Sequence, residues 1–188
     1  MGHLTVILGC MFAQKSTELV RRIRRYRSIG YQVLVVNSHR DTRYQGGGGG
    51  GIVTHDEKRE EGVMACTLSE VEEQVRSGQF QAVVVDEGQF FSDLFECVTR
   101  WADEIEGLDI VVAGLDGTFQ REPFGDMLRL IPHAEEVVRL SALCARCRDG
   151  TKAIYSRRRE VHIQVEEVVV GAAESYEPVC RRHYHEQG

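Results

Sequence analysis

An apolar segment that leads into a glycine-led loop and then into a helix constrains the fold of this chain more than any other feature. Residues 4–8 form the apolar segment, Gly9 begins the loop, and a stripe of apolar side chains at helical spacing extends over residues 16–28. A second apolar segment, residues 31–36, follows at once. A strand, a helix and a second strand in this order predict a parallel crossover.

Further along the chain, strand and helix patterns continue to alternate. Helices are predicted over residues 69–77, with Ser69 as the cap, and from the cap Ser92 to Gly107. Strands are predicted over 81–85, 108–113 and 135–140. The alternation predicts an α/β fold in which helices flank a parallel sheet.

Two segments depart from this pattern. Residues 40–62 have no usable periodicity and include six consecutive glycines at 46–51, which predict a flexible loop that serves as a surface linker or a lid. After residue 140 the chain becomes rich in cysteines, basic residues and short β segments. We therefore predict two domains, an α/β domain over 1–140 and a small C-terminal domain over 141–188.

Composition excludes several classes of protein. The chain carries 23 Lys and Arg against 29 Asp and Glu, a net charge of −6, whereas a nucleic-acid groove binder is usually basic. No apolar run approaches the roughly 18 residues of a membrane span. Lys15 ends the apolar N-terminal stretch, which has no basic flank before it, so a signal peptide is not expected. We expect a cytoplasmic protein without nucleic-acid or membrane partners.

The loop after the first predicted strand has the context of a phosphate-binding loop. Its backbone N–H groups and the helix N-terminus would face phosphates, Lys15 would reach the β and γ phosphates, and the Ser16 hydroxyl would bind Mg²⁺. The alternative is an ordinary strand–loop–helix with an incidental glycine and lysine. The predicted nucleotide-binding residues are Gly9, Met11, Phe12, Ala13, Gln14, Lys15, Ser16 and Thr17.

Gln14 departs from the standard loop pattern, which has glycine directly before the lysine. A backbone that lies against a phosphate leaves little room for a Cβ. Gln14 therefore predicts weakened phosphate binding or a reshaped loop.

Two adjacent carboxylates, Asp86 and Glu87, end the predicted strand 81–85. A phosphate-loop fold places its Mg²⁺-organising acid at this point, which fits Asp86. Glu87 could then accept a proton from an attacking hydroxyl. The alternative is a solvated acidic turn.

Four residues near the C-terminus have the spacing of a metal site. Cys144 and Cys147 form one pair, and Cys180 and His183 form the other. This pattern predicts a closed, structural Zn²⁺ site; a redox-active cysteine pair is the alternative, and His185 is a rival ligand with the wrong spacing. The remaining cysteines, Cys10, Cys66 and Cys97, are expected to be small buried apolar residues.

Several motifs in order resemble the thymidine kinases of the P-loop, zinc-containing (type II) family, from about residue 4 to residue 184. Besides the two zinc pairs and Tyr176, the motifs are Gly9-Cys-Met-Phe-Ala-Gln-Lys-Ser-Thr17, Asp41-Thr-Arg-Tyr44, Thr54-His-Asp56, Asp86-Glu-Gly-Gln-Phe-Phe91, Leu115-Asp-Gly-Thr-Phe-Gln-Arg121 and Pro123-Phe124. The resemblance implies a P-loop NTPase-like sheet with a zinc-ribbon-like domain and a substrate-covering loop.

The resemblance also implies an activity, namely Mg²⁺-dependent transfer of phosphate from ATP to the thymidine 5′-hydroxyl by a homotetramer, with structural Zn²⁺. Glu87 is then the general base. The residues implied for ATP and Mg²⁺ beyond the loop are Asp41, Arg43, Asp86 and Gln89. The residues implied for thymidine are Met11, Phe90, Leu115, Phe119 and Phe124, with Ser156, Val169, Val170, Gly171 and Tyr176 on the covering loop.

Two functions from different classes remain open at this point. The first is an active thymidine kinase, favoured by Lys15, Asp86 and Glu87. The second is a catalytically impaired relative kept for thymidine binding or assembly, favoured by Gln14. Each phenylalanine of the implied pocket could also be an ordinary core residue. A nucleic-acid-binding zinc ribbon is disfavoured by the acidic charge balance.

Overall fold

The computed structural model describes residues 1–39, 51–53, 59–159 and 175–186. Five predicted site residues, Asp41, Arg43, Val169, Val170 and Gly171, lie outside the described residues, as do the glycines at 46–50. The described strands are β1 His3–Leu8, β2 Val33–Ser38, β3 Gly51–Val53, β4 Arg59–Glu61, β5 Val63–Ala65, β6 Ala82–Val85, β7 Asp109–Gly114, β8 Glu136–Arg139, β9 Ala142–Leu143, β10 Lys152–Ala153, β11 Tyr155–Arg158 and β12 Tyr176–Val179. The described α-helices are α1 Lys15–Ser28, α2 Glu72–Arg76, α3 Leu94–Glu104 and α4 Arg181–His185, and 3₁₀ helices cover Leu68–Val71, Gly88–Phe90 and Met127–His133.

Six strands form one sheet in the order β5-β2-β6-β7-β1-β8, and every neighbouring pair is parallel. The central strands are continuous apolar runs because both faces of the sheet are covered. On one face, α1 packs Leu19, Val20 and Ile23 against the sheet. On the other face, α3 buries Trp101 among alternate side chains of the same strands. The predicted parallel α/β sheet flanked by helices is confirmed.

Three local predictions are wrong. The segment predicted as a helix over 69–77 begins as the 3₁₀ helix Leu68–Val71, and only Glu72–Arg76 is α-helical. The helix predicted from Ser92 begins at Leu94 with Asp93 as its cap residue. The segment predicted as a loop contains the antiparallel pair β3 and β4, because strands of three residues are too short to show periodicity.

The residues after β8 form a small module of two antiparallel strand pairs, β9–β10 and β11–β12, followed by α4. The module packs directly on the loop after β1. Cys10 and Ala13 of that loop share one apolar cluster with Ala142, Ala153 and Val179 of the module. The apolar contact therefore crosses the composition change at residue 140.

The three cysteines outside the paired motifs do not all behave as expected. Cys10 and Cys97 are buried, but Cys66 is exposed, and the expectation for it is wrong. Burial raises the pKa of the Cys10 thiol, so this residue is a small apolar group in the cluster. No helix among the described residues is both long and apolar enough to cross a membrane.

Candidate active site

The loop between β1 and α1 lies at the carboxyl edge of the sheet. A Cβ at Gly9 would lie 2.6 Å from the carbonyl oxygen of Leu140, so the close approach of these two segments requires glycine. Phe12 and Gln14 both have a φ of 64°, in the left-handed region. These two left-handed residues change the direction of the backbone shortly before α1 begins.

The ammonium of Lys15 lies inside this loop. Its Nζ donates to the carbonyl oxygens of Gly9 at 3.1 Å and Cys10 at 3.0 Å, and the residue is only 8% exposed. The loop thus surrounds a buried positive charge next to a helix N-terminus, an arrangement that attracts anions.

Gln14 is the residue directly before α1, with φ 64° and ψ 31°. Its side chain is exposed. The position therefore has the backbone conformation that glycine adopts freely, which is the physical reason for glycine in the standard pattern.

Ser16 and Asp86 bring the first turn of α1 to the end of β6. The Ser16 Oγ donates to Oδ2 of Asp86 at 3.1 Å, and Asp86 is fully buried. A hydroxyl and a carboxylate oxygen are ligands of the kind that Mg²⁺ prefers beside phosphates. The two residues therefore fit the chemistry of a magnesium site.

Glu87 follows Asp86 in a left-handed conformation with φ 53°. Its backbone N–H donates to Oδ1 of Asp86 at 2.9 Å. Its own carboxylate accepts a hydrogen bond from Nε2 of Gln89, at 2.6 Å from Oε2. The two carboxylates therefore have different surroundings. That of Asp86 is buried beside Ser16, and that of Glu87 is half-buried beside Gln89.

The amide of Gln89 joins Glu87 to the end of β7. Its Oε1 accepts the N–H of Leu115 at 3.0 Å, and the residue is buried. A Cβ at Gly114 would lie 2.6 Å from this Oε1, and one at Gly125 would lie 2.5 Å from the Gln89 carbonyl. Sequence reasoning assigned Gln89 to ATP and Mg²⁺, whereas the described contacts of its amide are with Glu87 and Leu115.

The predicted aromatic pocket residues occur in two contacting pairs. The Phe90 and Phe124 rings meet edge to face with centroids 5.6 Å apart. The Phe119 ring lies 6.5 Å from that of Tyr176. Phe90, Phe119 and Phe124 are all half-buried, unlike Phe91, which is 1% exposed in the core. The three predicted pocket phenylalanines are therefore not ordinary core residues, and Leu115 and Met11 are also half-buried.

Strands β10 and β11 are both hydrogen-bonded to the loop between β1 and α1. The N–H of Met11 donates to Oγ of the buried Ser156 at 2.9 Å, and the Cys10 thiol donates to the carbonyl of Ala153 at 3.4 Å. The first strand of the predicted substrate-covering segment thus contacts the predicted nucleotide loop.

The structure brings the four predicted metal ligands together, with their donor atoms within 4.8 Å of one another. Nδ1 of His183 lies 3.4, 3.2 and 3.4 Å from the sulfurs of Cys144, Cys147 and Cys180. The sulfurs of Cys147 and Cys180 are 3.8 Å apart. Ligand bonds of about 2.0–2.3 Å in a tetrahedron place donors roughly 3.5–3.8 Å apart. The cluster therefore fits Zn²⁺.

Two cysteines of this cluster have opposite pKa shifts: burial and the neighbouring thiols raise the pKa of Cys147 to about 11, whereas the surroundings of Cys144 favour its thiolate. Burial raises the pKa of the Cys144 thiol, but backbone N–H groups, including those of Cys147 and Cys180, outweigh it and bring that pKa down to about 6. The other ring nitrogen of His183, Nε2, lies 3.4 Å from a carboxylate oxygen of Glu186. A partner on this nitrogen orients the ring and leaves Nδ1 for the metal.

Sequence reasoning missed Tyr184, the residue after His183. Its hydroxyl donates to the carbonyl oxygen of Phe119 at 2.7 Å. The Arg121 guanidinium lies 4.6 Å from the centre of the Tyr184 ring. A pattern search does not find this residue, because the contact joins segments 65 positions apart and involves a backbone acceptor.

Comparison with known proteins decides the family. The family model for thymidine kinase matches residues 2–184. This chain belongs to the thymidine kinase family. A cytosolic thymidine kinase of Bos taurus is 44% identical over 97% of this chain and 72% of its own length. The thymidine kinase of vaccinia virus (strain Western Reserve) is 41% identical over 97% of both chains.

The human cytosolic thymidine kinase is 42% identical to this chain. The alignment covers 97% of this chain and 73% of the human protein. Among solved structures, domain III of the Thermotoga maritima replication initiation protein DnaA aligns at a TM-score of 0.43 and 16% identity, covering 73% of this chain and 54% of the other. That likeness is too low to bear on function. The resemblance drawn from the sequence motifs is confirmed by the family match.

Proposed function

We propose that this thymidine kinase family member transfers the γ-phosphate of ATP to the 5′-hydroxyl of thymidine, as in salvage of deoxypyrimidine nucleosides. One observation carries the proposal. The buried charge of Lys15, the Ser16–Asp86 pair and the separately held carboxylate of Glu87 meet at the carboxyl edge of the sheet. Phosphoryl transfer needs these three elements, namely a phosphate cradle, a magnesium site and a proton acceptor.

Each element has a defined part in the transfer. Lys15 and the N-terminus of α1 bind and orient the phosphates. Ser16 and Asp86 hold Mg²⁺, which when bound neutralises charge on the phosphates. Glu87 accepts the proton of the 5′-hydroxyl. Gln89 donates to Oε2 of Glu87 and so orients the carboxylate.

The aromatic side chains supply the proposed thymidine slot. The half-buried rings of Phe90, Phe119 and Phe124 can stack on a flat pyrimidine and exclude water. Leu115 and Met11 are apolar neighbours suited to the 5-methyl group. Ser156 and Tyr176 lie on the strands that flank the covering segment.

A second candidate function follows from Gln14. A side chain at this position directly before the lysine weakens phosphate binding and leaves a protein that binds thymidine but transfers phosphate poorly. The left-handed backbone of Gln14 supports this candidate, because the position has the conformation of the glycine that it replaces.

Assembly and location are also part of the proposal. The family resemblance supports a homotetramer, and the names of the bovine and human relatives support a cytoplasmic protein. The two proposed substrates are ATP and thymidine. No nucleic-acid partner is proposed, in line with the net charge of −6.

The test of this function is phosphate transfer from ATP to thymidine by the full chain and by Glu87→Gln. Glutamine keeps the size of the side chain but cannot take the proton. We expect turnover to fall by a factor on the order of 10²–10⁴ while thymidine affinity changes little.

The matched control is Glu106→Gln, which alters an exposed glutamate after α3 and should behave as the parent protein. No transfer by the parent protein under any Mg²⁺ concentration would overturn the active-kinase function. Unchanged turnover in Glu87→Gln would assign the base elsewhere, with Asp41 the next candidate.

A further inference from the structure

Tyr184 contacts the proposed thymidine slot without belonging to it. Its hydroxyl donates to the carbonyl oxygen of Phe119 at 2.7 Å in a half-buried setting. The Phe119 ring lies in the predicted wall of the slot. The hydrogen bond is therefore made to the backbone that carries a substrate-facing side chain.

Phe119 lies in a short hairpin, residues 117–123, that is closed by its own backbone. Gly117 and Pro123 form an antiparallel bridge, the N–H of Thr118 donates to the carbonyl of Glu122 at 2.9 Å, and that of Arg121 donates to Thr118 at 2.9 Å. A closed turn of this kind moves as a unit. A contact that holds its backbone also fixes the position of the Phe119 ring.

A second contact fastens the same hairpin to Tyr184. The Arg121 guanidinium lies over the Tyr184 ring at 4.6 Å, and its Nη1 is 3.3 Å from Nε2 of His185. Arg121 has a φ of 70°, a left-handed conformation that is unfavourable for a residue other than glycine. This left-handed conformation therefore occurs at the hairpin residue whose guanidinium lies over the Tyr184 ring.

The metal cluster sets the position of Tyr184. Cys180 precedes α4, His183 lies within it, and Tyr184 is the next residue. The N–H of Tyr184 donates to the carbonyl of Cys180 at 3.0 Å. Tyr176, whose ring contacts Phe119, begins β12, the strand that leads into Cys180. The metal ligands are thus connected to Phe119 in two ways, through the hydroxyl of Tyr184 and through the ring of Tyr176.

We propose that Tyr184 is a positioning residue for thymidine, which transmits the geometry of the Cys144–Cys147–Cys180–His183 cluster to Phe119 and so sets the width of the slot. The inference rests on the proposed function, since thymidine gives the Phe119 wall its role. It extends that function because the Tyr184 hydroxyl would strengthen thymidine binding without contacting thymidine itself.

A hydrogen bond between a helix and a hairpin could also be a simple structural tie. Such a tie would affect stability and both substrates alike. The positioning role instead affects thymidine alone, because the Tyr184 hydroxyl donates to Phe119 in the predicted thymidine wall, whereas Nζ of Lys15 donates to two carbonyls of the loop between β1 and α1. The Tyr184 ring, which packs on the apolar cluster that contains Cys10 and Ala13, is retained in Tyr184→Phe. The two roles therefore differ in which ligand is weakened.

The experiment compares Tyr184→Phe with the matched control Tyr155→Phe, both as zinc-loaded full chains. The two rings are neighbours, with centroids 5.1 Å apart, and Arg121 lies over both. Within the described part of the chain, the Tyr155 hydroxyl has no hydrogen bond, so its removal leaves the hairpin untouched. Calorimetry measures thymidine and ATP affinity separately, and metal analysis and amide exchange follow the cluster and the hairpin.

We expect Tyr184→Phe to bind thymidine about three- to tenfold more weakly, the effect of one lost neutral hydrogen bond. ATP affinity and zinc content should equal those of the parent, and the amides of residues 118–122 should exchange faster. Tyr155→Phe should match the parent in all four measurements.

Parental thymidine affinity in Tyr184→Phe would overturn the inference, and so would an equal loss for ATP or an equal effect of Tyr155→Phe. Loss of zinc from Tyr184→Phe would also overturn it, because the hydroxyl would then act on the metal site. Failure of the parent protein to bind thymidine is a different result: it removes the proposed function, while amide exchange still reports whether Tyr184 holds the hairpin.

Discussion

Gln14 is the residue on which the two candidate functions, an active kinase and an impaired one, differ. Its φ of 64° and ψ of 31° place it in the left-handed region, which costs an ordinary residue about 1–2 kcal/mol relative to glycine. Glycine in turn loses about 0.4–1 kcal/mol more on folding, because its unfolded chain is freer. Glycine is therefore favoured at this position by roughly 0–1.5 kcal/mol of folding stability, and a separate difference should appear in phosphate binding.

We therefore expect Gln14→Gly to raise ATP affinity at least tenfold, or about 1.4 kcal/mol, with thymidine affinity unchanged. The reason is that a Cβ at this position occupies space beside the phosphates, whereas the thymidine slot lies on other segments. Titration with ATP at equal Mg²⁺ measures the effect, and urea unfolding checks that stability moves by less than about 1.5 kcal/mol.

The control for this change is Gln14→Ala, which keeps the Cβ and the left-handed strain but removes the amide. If the Cβ is the obstacle, alanine should bind ATP as weakly as glutamine. Equal and tight ATP binding by all three proteins would show that the loop accommodates the side chain, and the impaired-kinase candidate would lose its support.

At the scale of elements, Asp93 fastens the 3₁₀ helix Leu68–Val71 to the start of α3. Its two carboxylate oxygens accept the N–H groups of Leu68 and Ser69, each at 2.9 Å. Burial raises the pKa of Asp93, but these hydrogen bonds outweigh it and hold the pKa below its ordinary value. A carboxylate with a lowered pKa stabilises the fold above its unfolded pKa of about 3.9, and that contribution is lost as pH falls through the folded pKa.

Asp93→Asn should destabilise the protein by about 1 kcal/mol at pH 7, because an amide offers one acceptor oxygen where the carboxylate offers two. The difference between parent and variant should shrink as pH falls from about 3.9, where the carboxyl of the unfolded chain takes up a proton, through the lower pKa of Asp93 in the folded protein. Urea unfolding between pH 7 and pH 3 measures both effects. Asp103→Asn, on the exposed face of α3, is the control and should change little. A difference that stays constant down to pH 3 would show that the charge of Asp93 has no part in it.

The sequence predicts elements well where burial imposes a regular pattern. The strands β1, β6 and β7 are continuous apolar runs because both faces of the sheet are covered, and the stripe on α1 follows from one buried face. The prediction misplaces the start of the 3₁₀ helix at Ser69, although Thr67 and Glu70 form a capping box that the local sequence shows. Only the added contact of Asp93, which lies 25 residues away from Leu68, depends on the folded chain.

The candidate site divides in the same way. The proximity of Ser16 to Asp86 and the clustering of Cys144, Cys147, Cys180 and His183 could be predicted, because phosphate and metal chemistry demand fixed residue types at fixed spacing. The contact of the Gln89 amide with Leu115 and that of the Tyr184 hydroxyl with Phe119 could not be predicted, because both partners are backbone groups brought close only by the folded chain.

For the whole molecule, the metal cluster and the phosphate loop are parts of one packed unit. Cys144 and Cys180 lie in the same apolar cluster as Cys10 and Ala13, and Ser156 binds the backbone of Met11. A loss of structure at the cysteine and histidine cluster is therefore expected to extend to the loop between β1 and α1.

The purified protein should contain about one Zn²⁺ per chain, and Cys180→Ser should lose it. Structural zinc contributes on the order of 10 kcal/mol in small zinc-binding peptides, so we expect the C-terminal module to unfold and both thymidine and ATP affinity to fall. Metal analysis and ligand titration measure these effects. Cys66→Ser, which alters an exposed cysteine outside the cluster, should keep its zinc and its affinities. Zinc-free parent protein that binds both substrates fully would contradict this prediction.

The strand order also bears on how the protein is made. Polypeptides leave the ribosome from N-terminus to C-terminus at roughly 5–20 residues per second. β1 emerges before the other described strands, yet its neighbours in the sheet are β7 and β8, and the loop after it packs on Ala142, Ala153 and Val179. The partners of β1 and of the loop after it are therefore synthesised on the order of ten seconds later. During translation the nascent chain carries an unpaired apolar strand, and the loop between β1 and α1 is among the last parts of the molecule to reach its packed position.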